Sequence, residues 1–187
     1  MAIINYKIEF FTDWNCSSGL TGNAYIDIAA LRDKDGFPYI PGKTIKGLLR
    51  DAAKNLDIDD KAEKEIFGSE KKKAGDKSED ENKQGCAYFS NAEICEEVRN
   101  ALKNDAKKKQ YLFREIASTA IDSDTGVAKD KSLRKIEVVI PLTLFGMIEC
   151  EEEYKKTLVD CMSFVKRLGL NRNRGLGRCE FSVSEVK

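Results

Sequence analysis

The sequence contains no histidine. That absence removes the commonest general acid and base near neutral pH, the Ser-His-Asp and Cys-His nucleophile systems, every His-bearing metal site, and any nuclease chemistry run by a histidine pair. Catalysis, where present, is left to carboxylates, Lys, Tyr, Cys or a weakly held, oxygen-ligated metal. Cysteine pairing is missing too: Cys16, Cys86, Cys95, Cys150, Cys161 and Cys179 are scattered without a C-x-x-C, which argues against a zinc knuckle or a thioredoxin-like motif and for reduced thiols. No stretch approaches the roughly 20 apolar residues that span a bilayer, and the start at Met1–Asn5 lacks the basic segment and apolar run of a secretory signal. The expectation is a cytoplasmic protein with no membrane partner. An excess of either charge is also lacking, because 32 Lys and Arg balance 32 Asp and Glu. Any polyanion site must therefore be a local patch.

What is present is enough apolar residue, 41% of 187, for one substantial core, so one domain over 1–187 is expected. Asn5–Phe10 alternates polar and apolar side chains, the period of a half-buried strand. Tyr25-Ile26-Asp27-Ile28 is a short apolar stretch carrying one carboxylate, and Asp33–Gly36 reads as a turn. A helix follows from about Thr44 to Asn55. Residues 70–84 hold one apolar residue, Ala74, among Lys, Asp and Glu, which predicts a charged, mobile surface insertion. Cys86–Phe89 reads as a strand and Glu96–Lys107 as a short polar helix. The stretch 114–135, with the turn signal Asp122–Gly126, reads as a protruding hairpin or an irregular arm. Ile136–Phe145 reads as one long core strand in which Pro141 marks an edge or a bulge. From Glu151 onward, Leu158, Met162, Val165 and Leu168 recur at helical spacing, closed by Lys166-Arg167 and Gly169. Cys179–Val186 alternates again as a last strand. Strand, helix, strand, arm, strand, helix, strand fits an α+β, ferredoxin-like sandwich with insertions.

Two basic motifs stand out. In Pro41-Gly42-Lys43-Thr44-Ile45-Lys46-Gly47-Leu48-Leu49-Arg50, a Pro-Gly turn delivers the chain into a helix N-terminus, where backbone N–H groups can bind phosphate. Steps of three and four put Lys43, Lys46 and Arg50 on one face, with Ile45, Leu48 and Leu49 turned to the core. Gly42-Lys43-Thr44 lacks the upstream glycine of a P-loop. The second motif is Leu168–Arg178, where Arg172, Arg174 and Arg178 supply forked donors suited to phosphodiester oxygens. Gly175 and Gly177 allow either close backbone approach to a ligand or simply a tight turn.

Taken together, Tyr-Ile-Asp-Ile, then Phe37–Arg50, then Leu168-Gly169…Arg174-Gly175-Leu176-Gly177-Arg178 resembles the repeat-associated mysterious protein (RAMP) superfamily of CRISPR proteins. Both signatures occur in order near opposite ends of the chain; residues 55–135 agree in layout more than in residue type. Within the superfamily, the chain is most similar to the backbone subunits of type III (Csm and Cmr) effector complexes. The resemblance implies a modified RNA-recognition-motif fold, stacking on copies of itself or paralogous subunits along a CRISPR RNA, and a complementary target RNA as partner. It implies phosphate contacts from Lys43, Thr44, Lys46, Arg50, Arg172, Arg174, Gly175, Gly177 and Arg178, and a thumb at 114–135 whose Ile121 and Val127 either wedge against a base or pack in the core. In the cleaving members an Asp stands a few residues before an Arg-Asp pair, as Asp27 stands before Arg32-Asp33. That likeness implies metal-dependent target RNA cleavage through Asp27, with Mg2+ or another divalent ion, although one aspartate is too few ligands to define a metal site. Two readings stay open: a cleaving subunit, or a capping or scaffold subunit in which Asp27 is structural. A generic RNA-recognition module is disfavoured, because no Gly-Phe-Gly-Phe-Val-x-Phe run supplies its stacking aromatics.

Overall fold

The computed structural model describes residues 1–21, 25–69 and 83–184. In chain order these form β1 (Ala2–Phe10), β2 (Ser17–Thr21), β3 (Ile28–Ala30), α1 (Gly42–Asn55), α2 (Asp60–Phe67) and β4 (Tyr88–Phe89). Then come α3 (Glu96–Leu102), α4 (Ala106–Gln110), β5 (Phe113–Ser118), β6 (Arg134–Val139), β7 (Thr143–Cys150), α5 (Lys155–Phe164) and β8 (Cys179–Val183), with one 3-10 turn at Glu152–Tyr154.

The alternation in β1 turns Ala2, Ile4, Tyr6, Ile8 and Phe10 to one face, where all are buried. That strand sits inside an antiparallel sheet of order β4-β7-β1-β8. Helix α1 is the crossover between β1 and β4, and α5 the crossover between β7 and β8. The two helices pack against each other, burying Ile45, Leu49, Ala52 and Ala53 from α1 and Leu158, Cys161 and Met162 from α5. Each fully buried Ile or Leu contributes about 1.5–3 kcal/mol. Strand, helix, strand, strand, helix, strand in this order is the α+β, ferredoxin-like layout expected from the sequence, with α2, α3, α4 and a second sheet inserted.

The second sheet has the order β2-β3-β6-β5, with β3 parallel to β6 and β5 antiparallel to it. Here one expectation is corrected. Ile136–Phe145 is two strands in two sheets: β6 ends at Val139, whose N–H and carbonyl pair with Trp14, and β7 begins at Thr143. Pro141 has no N–H to continue a ladder, so the chain changes sheets across Ile140-Pro141-Leu142. The polar helix expected over Glu96–Lys107 is likewise two, α3 and α4, because Asp105 caps a new helix by accepting from the Lys108 N–H at 2.9 Å. Residues 70–82 of the charged insertion lie outside the described residues. Its base is closed where Ser69 N–H donates to the Lys83 carbonyl at 2.9 Å.

The arm is a β5–β6 hairpin, paired from Phe113↔Val139 to Ser118↔Arg134. Beyond it Asp122 Oδ1 accepts from the Asp124 and Thr125 N–H groups at the tip turn. Ile121, Val127 and Leu133 are all exposed, so neither Ile121 nor Val127 belongs to the core.

Candidate nucleic-acid interface

The two basic motifs meet through the segment after β1. Phe10 stacks on Trp14 at 4.6 Å between centroids, which folds Asp13–Cys16 back over the layer of side chains between sheet and helices. The Asp13 carbonyl accepts from Gly177 N–H at 2.7 Å and the Asn15 carbonyl from Leu170 N–H at 2.9 Å, so the glycine-rich loop is hung on this segment. Asn15 is itself fixed by donating Nδ2 to the Glu137 carbonyl at 2.6 Å. On its other side the segment reaches α1: burial pushes the Cys16 thiol pKa up, while Thr44 and Lys43 beside it pull it down. Thus the N-terminal turn of α1 and the loop are neighbours held by one strap.

Within α1 the expected shared face splits. Lys43 is exposed, and Lys46 is half-buried, with its pKa lowered first by burial and then by Arg50 beside it. Arg50 leaves that face. Its guanidinium donates to the Phe67 carbonyl and, at 2.5 Å, to the Gly68 carbonyl, and lies 3.3 Å from Glu63, where it pins α1 to the C-terminus of α2. Gly42 N–H at the helix start donates to Asn91 Oδ1 at 3.0 Å, so that particular donor serves the fold.

In the loop, Arg172, Arg174, Gly175 and Arg178 are exposed and Gly177 is buried. Gly177 has φ +68, and a Cβ there would lie 1.8 Å from the Leu168 carbonyl oxygen. Close backbone approach is thus used, but toward the protein's own chain. Helix α5 ends earlier than its apolar spacing suggests. Val165 is extended (φ −73, ψ 119), and residues 166–168 form a ladder with 177–179 through Leu168 N–H to Gly177 O (2.8 Å) and Cys179 N–H to Lys166 O (3.0 Å). Lys166 and Arg167, read from sequence as closing the helix, are therefore exposed members of the loop face.

They separate two concavities. A cleft of about 590 Å3 lies between α1 and the loop, where Lys54, Lys166, Arg167 and Arg172 face a single acid, Asp51. A neighbouring groove of about 390 Å3 holds Lys166, Arg167 and Arg178 with one acid, Glu180. In a chain of zero net charge, this is a concentrated basic strip of the kind that attracts phosphates. Lys54, Lys166 and Arg167 were not singled out in the sequence; the signal available was their spacing of only a few residues from the two motifs.

Asp27 lies elsewhere, just before β3 and beside β6 in the second sheet. Its N–H donates to the Lys135 carbonyl at 2.9 Å and its Oδ2 accepts from the Lys135 N–H at 2.7 Å, while the side chain stays exposed. Among the described residues no three His, Cys, Asp or Glu side chains converge to hold a metal ion. A hard divalent cation commonly binds through one or two carboxylates plus substrate phosphates and water, and the exposed Asp27 carboxylate fits that lesser role. Arg32 and Asp33 both serve the fold: Arg32 reaches Glu137 at 2.6 Å and lies 3.6 Å over the Phe113 ring, and Asp33 holds the turn and Arg99.

A family model for the RAMP superfamily matches residues 7–180. The chain belongs to the RAMP superfamily. The match runs from β1 to β8 and so takes in both basic motifs of this RAMP protein. Its fold is shared with a chain of the type III-B Cmr-beta complex bound to cognate target RNA, solved by cryo-EM. The TM-score is 0.72 over 97% of this chain and 96% of that one, at 13% identity. A chain of the same complex in its apo state gives 0.69 over 97% and 96%, at 14% identity. No curated protein sequence matches this one. Among the described residues, no helix of this RAMP protein is long and apolar enough to cross a membrane.

Proposed function

We propose that this RAMP protein is a CRISPR RNA-binding backbone subunit of a type III effector complex. The observation that carries the reading is the convergence of the C-terminal half of α1, through Lys54, and the glycine-rich loop on one basic strip, within a chain matched by the superfamily along most of its length. The likeness in fold to a Cmr-beta chain from a complex bound to target RNA supports it. Lys43, Thr44 and Lys46 grip backbone phosphates at the start of α1. Arg172, Arg174 and Arg178 do so from the loop, with Gly175 and Gly177 shaping it. Arg50 contributes through the position of α1, since its donors are turned to the α2 terminus. The exposed arm at 114–135 is the thumb that meets the guide–target duplex, and copies or paralogues of the subunit stack along the guide.

The subunit also cleaves complementary target RNA through Asp27. Its exposed carboxylate would help to hold Mg2+, which supplies charge neutralisation at the scissile phosphate. Asp27 is set in position by the paired Lys135 backbone, and the absence of histidine leaves few other groups for the role. One observation favours a non-catalytic scaffold instead: Asp27 already ties β3 to β6 through Lys135. The two are separated by Asp27→Ala in the complex assembled with guide RNA, target RNA and Mg2+. Loss of target cutting with guide binding intact is the expected result, because Asp27 donates nothing to a phosphate. Cutting at the wild-type rate leaves the scaffold reading standing.

A further inference from the structure

We propose that Phe11 is a stacking platform for a nucleobase of single-stranded RNA, set beside the cations of the loop; this deepens the RNA-binding reading and rests on it. The placement of Phe11 follows from the strand before it. Phe10 turns inward onto Trp14, and the β1–β8 ladder runs on one step as Phe11 N–H donates to the Arg178 carbonyl at 2.9 Å. The Phe11 ring is thereby put outside, 47% exposed, on a backbone held to Arg178. Phe10 and Trp14 fill the inner side at this point, so the Phe11 ring stays half out of the core.

The surroundings of the ring select the ligand. The Arg178 guanidinium lies 5.9 Å from its centroid, and Lys166 and Arg167 line the same groove against one carboxylate, Glu180. Three cations in one groove with a half-exposed ring are a poor match for an apolar protein surface and a good one for a nucleotide, which brings a π-face and a phosphate together. Lys166 and Arg167 also line the larger cleft with Arg172, so a strand leaving that cleft meets cations without a gap until it reaches Phe11. A base laid on the ring here places its own phosphate toward Arg178.

The test uses the full chain and fluorescence anisotropy with two probes, a labelled oligouridine and an abasic phosphodiester of equal length. Phe11→Leu, which keeps an apolar side chain but no π-face, should weaken oligouridine about tenfold, as loss of one base stack does. It should leave the abasic probe unchanged, and Phe11→Trp should restore oligouridine binding. Equal loss on both probes, or no loss on either, overturns the platform. If Phe11→Leu is silent while Arg172→Glu and Arg178→Glu weaken both probes, only the platform falls. If the two arginine variants are also silent, the RNA reading of this face falls with it.

Discussion

At the scale of the residue, the glycine-rich loop separates two uses of glycine that look alike in sequence. Gly175 (φ +92) and Gly177 (φ +68) both sit in left-handed backbone, where a side chain costs roughly 1–2 kcal/mol. They differ in what lies outside the Cα. Nothing stands within 4 Å of a Cβ on Gly175, whereas one on Gly177 would lie 1.8 Å from the Leu168 carbonyl oxygen, which is backbone and part of the ladder that carries Lys166. Gly175→Ala should therefore lower stability by no more than about 2 kcal/mol, the backbone cost alone. Gly177→Ala should cost about 3 kcal/mol or more and take RNA binding down with it, because the ladder cannot close. Thermal or urea unfolding of both variants checks the ranking. Equal losses would mean that the close approach carries no energy and that both glycines are ordinary turn residues.

At the scale of the element, the insertions are held to the ferredoxin-like layout by a few buried or half-buried charges. Arg99 of α3 donates to Asp33 at 2.7 Å, to Asp35 at 3.1 Å and to Glu93 at 3.1 Å, clamping the helix to the turn that leads into α1. Burial works to raise the Asp33 pKa, but the Phe37 and Asp35 N–H groups and Arg99 outweigh it and hold the carboxyl below its ordinary value of 3.8. A carboxylate whose folded pKa is depressed adds stability that is full above the unfolded value. That stability is lost as pH falls through the folded one. Replacing Asp33 by Asn should consequently lower Tm at pH 7 and narrow its difference from the parent as pH drops below about 4. A Tm difference that stays constant from pH 7 to pH 3 would show that the loss comes from the turn geometry and not from the charge. The same scale explains what sequence could and could not reveal. The alternation of β1 and the apolar face of α1 were legible because each is decided within its own few residues. The break at Pro141 was not, since an apolar run reads alike in either sheet, and what divides it is pairing with Trp14 on one side and β1 on the other. Nor was the end of α5. Val165 and Leu168 continue helical spacing, but backbone bonds from Leu168 to Gly177 and from Cys179 to Lys166 capture the chain as an extended segment. That capture is what converts Lys166 and Arg167 from helix-end cations into members of the binding strip, so the part of the site hidden from sequence was hidden by the same tertiary pairing.

At the scale of the whole molecule, zero net charge makes position matter more than number. A strongly basic protein attracts RNA through its overall field, and any lost cation weakens it somewhat. Here the distant field is close to zero, and binding must come from cations near enough to displace counterions from individual phosphates. On single strands each phosphate neutralised in this way contributes about 0.7 to the slope of log K against log salt. Reversing Arg172 or Lys166, which line the basic cleft, should each flatten the slope by about that amount for every phosphate left without its cation, with affinity falling at low salt and converging on the parent at high salt. Lys61 on α2 is the control: it is highly exposed, it carries the same charge, and it pairs with Glu65 outside the strip. Its reversal changes the net charge of the chain as much as the others do, yet should leave the slope alone. Titrating labelled single-stranded RNA from about 50 to 200 mM salt decides the matter. A slope that responds equally to Lys61→Glu and Arg172→Glu would mean that the chain binds through its summed charge, and a slope that ignores Arg172→Glu would move the RNA path off the cleft.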